Sequence, residues 1–223
     1  MIKSVIFDWN GTLLADTNQS VETFNIICKQ FGKTPITKSR FKNSVDIPVR
    51  NFYLENGFSA EELEKNGNEY QSIFHENYER LAKTARLRRG ARHTLDWLLT
   101  AGVDMVLISN HTQSGVEEQV TRLGIDRFFS HIYANEKGNQ VLIGRNKFHK
   151  MTSYLDRHTF KKNEVINVGD APEEVHMAKE AGIISVAITD GFYATHRLRK
   201  EKPNYIITNF LKLIDIVKEL NKT

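Results

Sequence analysis

From residue 91 to the end, apolar runs of two different periods take turns along the chain. Ala91, Leu95, Leu98 and Leu99 make a helical stripe that stops at Gly102, and VDMVLIS (103–109) follows as a strand. Val116, Val120 and Leu123 mark a second helix, stopped by Gly124, and HIYAN (131–135) is a short strand. Residues 147–158 are helical, EVINVG (164–169) is a strand, and Pro172 opens a helix that ends near Gly182. IISVAIT (183–189) and NYIIT (204–208) are strands. Phe210, Leu213, Ile214, Val217 and Leu220 form a closing amphipathic helix. GNQVLIG (138–144) reads as a small hairpin, and residues 2–8 as a buried first strand. A helix between two strands returns the chain to the end where it started, so the strands lie parallel and helices cover both faces. The expected fold is a Rossmann-like α/β sheet.

Residues 17–85 have another texture. They are rich in charge, lack a β-branched run, and carry Phe24, Ile27, Cys28 and Phe31 at helical spacing. Ser59 and Glu62 form a capping-box start for a long helix reaching about Arg80. The reading is an all-helical insert over 17–85, with 1–16 and 86–223 as the α/β core.

Composition narrows the function classes. Of 223 residues, 40% are hydrophobic and 26% charged, as in an ordinary globular protein. No apolar run approaches the ~20 residues of a membrane span. The start, MIKSVIFD, is too short for a signal peptide, so the cytoplasm is the expected location, with no membrane partner. Cys28 is the only cysteine and falls on an apolar helical face, which predicts a buried thiol. The net charge of +4 includes basic runs at Arg86, Arg88, Arg89 and Arg92 and at His196, Arg197, Arg199, Lys200 and Lys202. No aromatic-interleaved platform accompanies them, so they read as solvated surface rather than a nucleic-acid site. A mild positive field also suits a small anionic substrate.

Ligands of an open parallel sheet bind beyond the carboxyl ends of its strands. Asp8, Asn10, Gly11 and Thr12 follow the first strand, and Ser109 and Asn110 follow VDMVLIS. Asp170 follows EVINVG, with Glu173 and Glu174 just beyond, and Lys147 and Lys150 begin the preceding helix. Such hard oxygen ligands suit Mg²⁺, which takes one or two carboxylates plus substrate phosphate oxygens. A lysine and a hydroxyl can hold the equatorial oxygens of a transferring phosphoryl group, and a carboxylate can be its acceptor.

Taken in order, these residues resemble the haloacid dehalogenase superfamily of phosphotransferases. Its motif Asp-x-Asp-Gly-Thr-Leu is similar to Asp8-Trp9-Asn10-Gly11-Thr12-Leu13, and its strand-ending hydroxyl to Ser109 in LISN. Its lysine corresponds to Lys147, with Lys150 as the reserve, and its Gly-Asp-x-x-x-Asp to GDAPEE, with Asp170 and Glu174. The segments SVAITDGF and KPNYIITNF resemble the phosphoglycolate-phosphatase-like branch, and 17–85 sits where that family carries a helical cap. The resemblance implies an Mg²⁺-dependent phosphatase for a small phosphorylated metabolite. Asp8 would be the nucleophile, with Ser109, Asn110, Lys147, Gly11 and Thr12 around the phosphate. Asp8, the Asn10 carbonyl, Asp170 and Glu174 would serve the metal.

Simpler roles exist for several of these groups. Ser109 and Asn110 also suit the N-cap of the next helix. Glu173 and Glu174 also complement a helix dipole. His75, His93, His111 and His176 have no metal-like spacing, although His111 follows a strand end near the site.

The departure from the motif is Asn10. In the family, the acid at this place protonates the leaving oxygen and then deprotonates water. An amide keeps the backbone carbonyl but can move no proton near neutral pH. General acid–base help is typically worth ~10²–10⁴-fold. Three readings follow. Another group, such as Asp16, His111 or a cap residue, replaces the shuttle. Or the substrate needs no such acid, as in phosphonoacetaldehyde hydrolases, whose Asp-Trp-Ala-Gly-Thr also lacks it and whose cap lysine forms a Schiff base; Lys38, Lys42 and Lys65 lie in the insert here. Or the chain is a weak or inactive enzyme that binds a phosphorylated ligand or a protein partner.

Overall fold

The computed structural model describes residues 1–136 and 147–222; the hairpin expected at 138–144 lies outside them. Six strands form one parallel sheet in the order β5–β4–β1–β6–β7–β8. These are β1 (Ser4–Phe7), β4 (Asp104–Thr112), β5 (His131–Asn135), β6 (Val165–Gly169), β7 (Ile184–Ile188) and β8 (Tyr205–Ile207). The chain lays β4 and β5 on one side of β1 and then returns to lay β6, β7 and β8 on the other. The carboxyl ends therefore part around β1, which is where an open α/β sheet leaves a crevice.

The strands read as continuous apolar runs because both faces are covered. Val5 and Phe7 of β1 join Met105 and Leu107 of β4 in one core, while Ile6 joins Val106 and Ile108 in the other. That is the period of two a strand imposes. The covering helices are α5 (Ala91–Thr100), α6 (Gln113–Arg122), α7 (Lys147–Asp156), α8 (Pro172–Ala181), α9 (Thr195–Lys200) and α10 (Leu211–Leu220). Gly182 ends α8 at φ 71°, a left-handed stop that suits glycine. Leu99 departs from its stripe and is 49% exposed. It neighbours Leu98 on α5, and successive helical residues point about 100° apart, so only one of them faces the core.

Two short antiparallel strands, β2 (Leu14–Ala15) and β3 (Arg86–Leu87), flank the remaining helices. Between them run α1 (Thr17–Gln30), α2 (Lys38–Ser44), α3 (Val49–Glu55) and α4 (Ala60–Ala82). The capping box opens α4: Glu62 N–H donates to Ser59 Oγ (3.1 Å) and Ser59 N–H donates to Glu62 Oε2 (2.7 Å). Phe24, Phe41, Phe52, Tyr53, Phe58 and Tyr70 pack into one aromatic cluster, with Phe24 and Phe52 ring centroids 4.4 Å apart. The cluster continues onto Ala171, Val175, Ala187, Tyr193 and Leu198, so the four helices pack against the sheet domain beside β6 and β7. Cys28 lies inside it, and burial pushes its thiol up to about 11.

The basic runs are mostly exposed, as expected of a solvated surface, but Arg88 and Arg197 are half-buried and anchor the structure. Arg88 donates to the Gly11 carbonyl (2.7 Å) and to that of Thr189, fastening the end of β3 to the sheet domain. Arg92 bonds the carbonyls of Gly124 and Leu123. Arg197 donates to the Val45 carbonyl (2.6 Å) and stacks on Tyr193, tying α9 to the α2–α3 turn. A guanidinium can satisfy several orphan carbonyls at once, which a pattern of charges does not announce.

Candidate active site

Asp8 follows β1 directly and is 6% exposed. Thr12 Oγ1 lies 2.7 Å from Asp8 Oδ2 and 3.0 Å from Asp170 Oδ1, so one hydroxyl joins the carboxylates that end β1 and β6. The turn between them needs Gly11. Its φ is 72°, and a Cβ there would stand 2.3 Å from Asp170 Oδ2. The Phe192 N–H donates to Asp170 Oδ2. Burial, and then the Asp8 charge, push the Asp170 carboxyl up to about 7.

Lys147 Nζ donates to Asp8 Oδ1 (2.5 Å) and to Glu174 Oε1 (2.6 Å). The other Glu174 oxygen takes the Ala171 N–H (3.2 Å). Burial raises Glu174 to about 8 against the pull of Lys147. Glu174 is thus engaged with the lysine and its own helix start. Lys150 goes elsewhere: its ammonium bonds the Ser109 carbonyl (3.1 Å) and Asn135 Oδ1 (2.5 Å), supporting the strand end from behind. Of the two lysines it is Lys147 that reaches Asp8.

Ser109 is buried, and its Oγ accepts the His111 N–H (3.0 Å), which leaves its own hydrogen to donate into the cavity it lines. Asn110 donates to Glu173 Oε2 (3.0 Å). The N-cap reading for Ser109 and Asn110 does not hold. β4 runs on to Thr112, and it is Thr112 Oγ1 that accepts from Gly115 at the start of α6. Two residues expected around a phosphate are committed otherwise. The Gly11 N–H donates to Asp16 Oδ1 (2.7 Å), and the Thr12 hydroxyl lies between two carboxylates. Both build the turn that presents Asp8.

Asn10 also has fixed partners. Its amide donates to Asp16 Oδ2 (2.8 Å) and to the Tyr78 hydroxyl (2.6 Å), and Tyr78 in turn donates to Asp16 Oδ2 (2.6 Å). Asp16 is fully buried, and that burial raises its carboxyl despite these bonds. Sequence reading missed Tyr78, which comes from α4 and lies 68 residues from Asn10. His111 faces α4 as well: its Nε2 is 2.8 Å from Glu79 Oε1, off hydrogen-bond alignment, and His75 Nδ1 is 3.7 Å from the same oxygen. Trp9 is buried in the core and donates to Gln119 Oε1 (2.6 Å).

The donor set suits a hard divalent cation. Two buried carboxylates that meet at one hydroxyl repel each other, and Glu173 Oε1 is buried without a partner. Among the described residues no three His, Cys, Asp or Glu side chains make a complete metal cage. Mg²⁺ does not require one, because it completes its shell with water and substrate oxygens.

A cavity of about 610 Å³ opens above these groups. Its floor includes Asp8, Asn10, Ser109, Lys147, Asp170 and Glu174, and its walls come largely from α1–α4. No described helix is long and apolar enough to cross a membrane.

Comparison with known proteins bears on the family and the fold. The family model described as haloacid dehalogenase-like hydrolase matches residues 5–188. A phosphoglycolate phosphatase of Pseudomonas fluorescens is 26% identical, over 94% of this chain and 78% of its own length. One of Vibrio parahaemolyticus is 22% identical, over 97% of this chain and 96% of its own. A haloacid dehalogenase-like family protein of Streptococcus pneumoniae has the same fold, with TM-score 0.79, 22% identity, and coverage of 97% of this chain and 98% of its own. With a family model spanning most of its length, the chain belongs to the haloacid dehalogenase-like hydrolases, on the branch of its phosphoglycolate phosphatase relatives.

Proposed function

We propose that the protein is an Mg²⁺-dependent phosphatase that cleaves a small phosphorylated metabolite through an aspartyl-phosphate at Asp8. The observation that carries this reading is the Lys147 ammonium, buried and shared between Asp8 and Glu174 at the carboxyl ends of β1 and β6. A carboxylate so held is aimed and partly neutralised, ready to accept a phosphoryl group that is itself anionic. Lys147 and the Ser109 hydroxyl would bind the equatorial phosphoryl oxygens, whose charge grows in the transition state. Asp8, Asp170 and the Asn10 carbonyl would hold Mg²⁺, which when bound supplies charge stabilisation on the phosphoryl oxygens. The four helices above would keep water out while Asp8 attacks.

Asn10 sets the character of this enzyme. Its amide is held by Asp16 and Tyr78 and delivers no proton to a leaving oxygen. Tyr78 is no substitute as a proton donor: burial, and then the Asp16 charge, hold its phenol well above the ordinary value. Leaving groups that depart without a proton are therefore favoured, and aryl and acyl phosphates should turn over faster than alkyl phosphates. The test is Asn10→Asp. The introduced carboxyl would face Asp16 at the present 2.8 Å contact, and two such carboxyls share a proton. That proton is available to a leaving alkoxide, so turnover on alkyl phosphates should rise by ~10-fold or more, within the range of general acid catalysis. No gain on alkyl phosphates would mean that another group, with His111 the foremost cavity-lining candidate, already moves the proton.

A further inference from the structure

The cavity walls, taken with the missing acid, say more about the substrate than the reaction does. From the four helices come Phe24, Phe41, Phe52 and Phe74, joined by Phe192 and Tyr193 after β7. Ser20, Asn68, Gln71 and Ser72 add neutral polar groups. Among the described residues that line the cavity, Lys147 is the single lysine or arginine, and it is already shared by Asp8 and Glu174. The two lining histidines, His75 and His111, stand 3.7 Å and 2.8 Å from the one Glu79 carboxylate, whose charge offsets one positive ring between them.

A second anionic group on the substrate would therefore meet no uncommitted lysine or arginine among the described lining residues, and burying an unpaired carboxylate is costly. The cavity of about 610 Å³, which includes the room for the phosphate on its floor, has space for a sizeable organic group. Aromatic walls favour an aromatic guest by area and by edge-to-face contact. Independently, the amide at Asn10 favours a leaving group that departs without a proton, and a phenolate does so where an alkoxide does not.

We infer that the substrate is the phosphate monoester of an uncharged aromatic hydroxyl compound, seated with its ring among the phenylalanines of α1–α4, and not phosphoglycolate or another phosphorylated acid. The inference rests on the phosphatase reading above and deepens it. It separates this chain from the activity in its relatives' names while keeping the same catalytic floor.

The test uses four probes: 1-naphthyl phosphate, 2-phenylethyl phosphate, acetyl phosphate and phosphoglycolate. Each is assayed with Mg²⁺ for phosphate release by the wild type and titrated by calorimetry into Asp8→Asn. The expected result is binding of 1-naphthyl phosphate at least ten-fold tighter than of phosphoglycolate. 2-Phenylethyl phosphate should bind comparably to the naphthyl ester but turn over at least ten-fold more slowly. Val49→Arg, which places a cation on the half-buried first residue of α3, should narrow the gap by strengthening phosphoglycolate binding. Phosphoglycolate binding as tightly as 1-naphthyl phosphate overturns the inference, whatever the turnover. The phosphatase reading fails separately, if acetyl phosphate and the aryl ester both bind and neither releases phosphate.

Discussion

The floor and the walls of the cavity are built to opposite rules. The floor packs Asp8, Asp170, Glu174 and Lys147 into a buried, charged, mutually bonded set. The walls gather phenylalanines with few charges. In the proposed mechanism each floor group has a narrow chemical task, which restricts its residue type and place. A wall only has to offer shape and apolar area, and many residues can do that. The catalytic reading therefore rests on a few atoms, and the substrate reading on a surface.

The largest effect should come from Lys147, the single lysine or arginine among the described residues of the floor. Lys147→Ala leaves Asp8 and Glu174 facing each other without it. Loss of a group that stabilises transition-state charge typically costs about 10²–10³-fold in kcat, and steady-state kinetics on an aryl phosphate should show a loss of that size. A kcat within a few fold of wild type would remove Lys147 from the chemistry. On the wall side, Phe52→Ala opens the aromatic cluster, and such truncations cost about 3–5 kcal/mol of stability, measurable by urea unfolding. A cost near that of a surface change would mean the helices above the site are loosely packed, and the wall argument would weaken with them.

A smaller effect concerns metal and pH. Asp170 and Glu174 are held up to about 7 and about 8, chiefly by burial. Without metal the folded chain thus binds more protons at these groups than the unfolded chain does, between roughly pH 4, the ordinary carboxyl value, and pH 8. Their contribution to stability accordingly falls as pH rises across that window. A cation on the carboxylates relieves this penalty, so Mg²⁺ should raise Tm more at pH 8 than at pH 5. Equal shifts at the two pH values would contradict a metal held at this cluster.

Much of the floor was legible in the sequence because it follows the strands. The periods of the apolar runs located β1, β4 and β6, and the residues after them were Asp8, Ser109 and Asp170. HIYAN and the capping box at Ser59 and Glu62 were equally plain. What stayed hidden depends on contacts between distant segments. Tyr78 meets Asn10 only when α4 folds back over β1, and no spacing signals that. The short helices α2, α3 and α9 are too brief to carry a periodic stripe. Arg88 and Arg197 look like surface charge until the carbonyls they hold come into view. The walls were unreadable for the same reason: Phe41 and Phe52 become lining residues through the packing of α2 and α3, which the sequence did not reveal.

The most direct test is Mg²⁺-dependent phosphate release from p-nitrophenyl phosphate, acetyl phosphate and a set of alkyl phosphates, with wild type and Asp8→Asn side by side. The account predicts turnover that favours the aryl and acyl esters and falls by at least about 10³-fold in Asp8→Asn, as loss of a covalent nucleophile demands. Turnover that survives in Asp8→Asn would contradict the aspartyl-phosphate at Asp8.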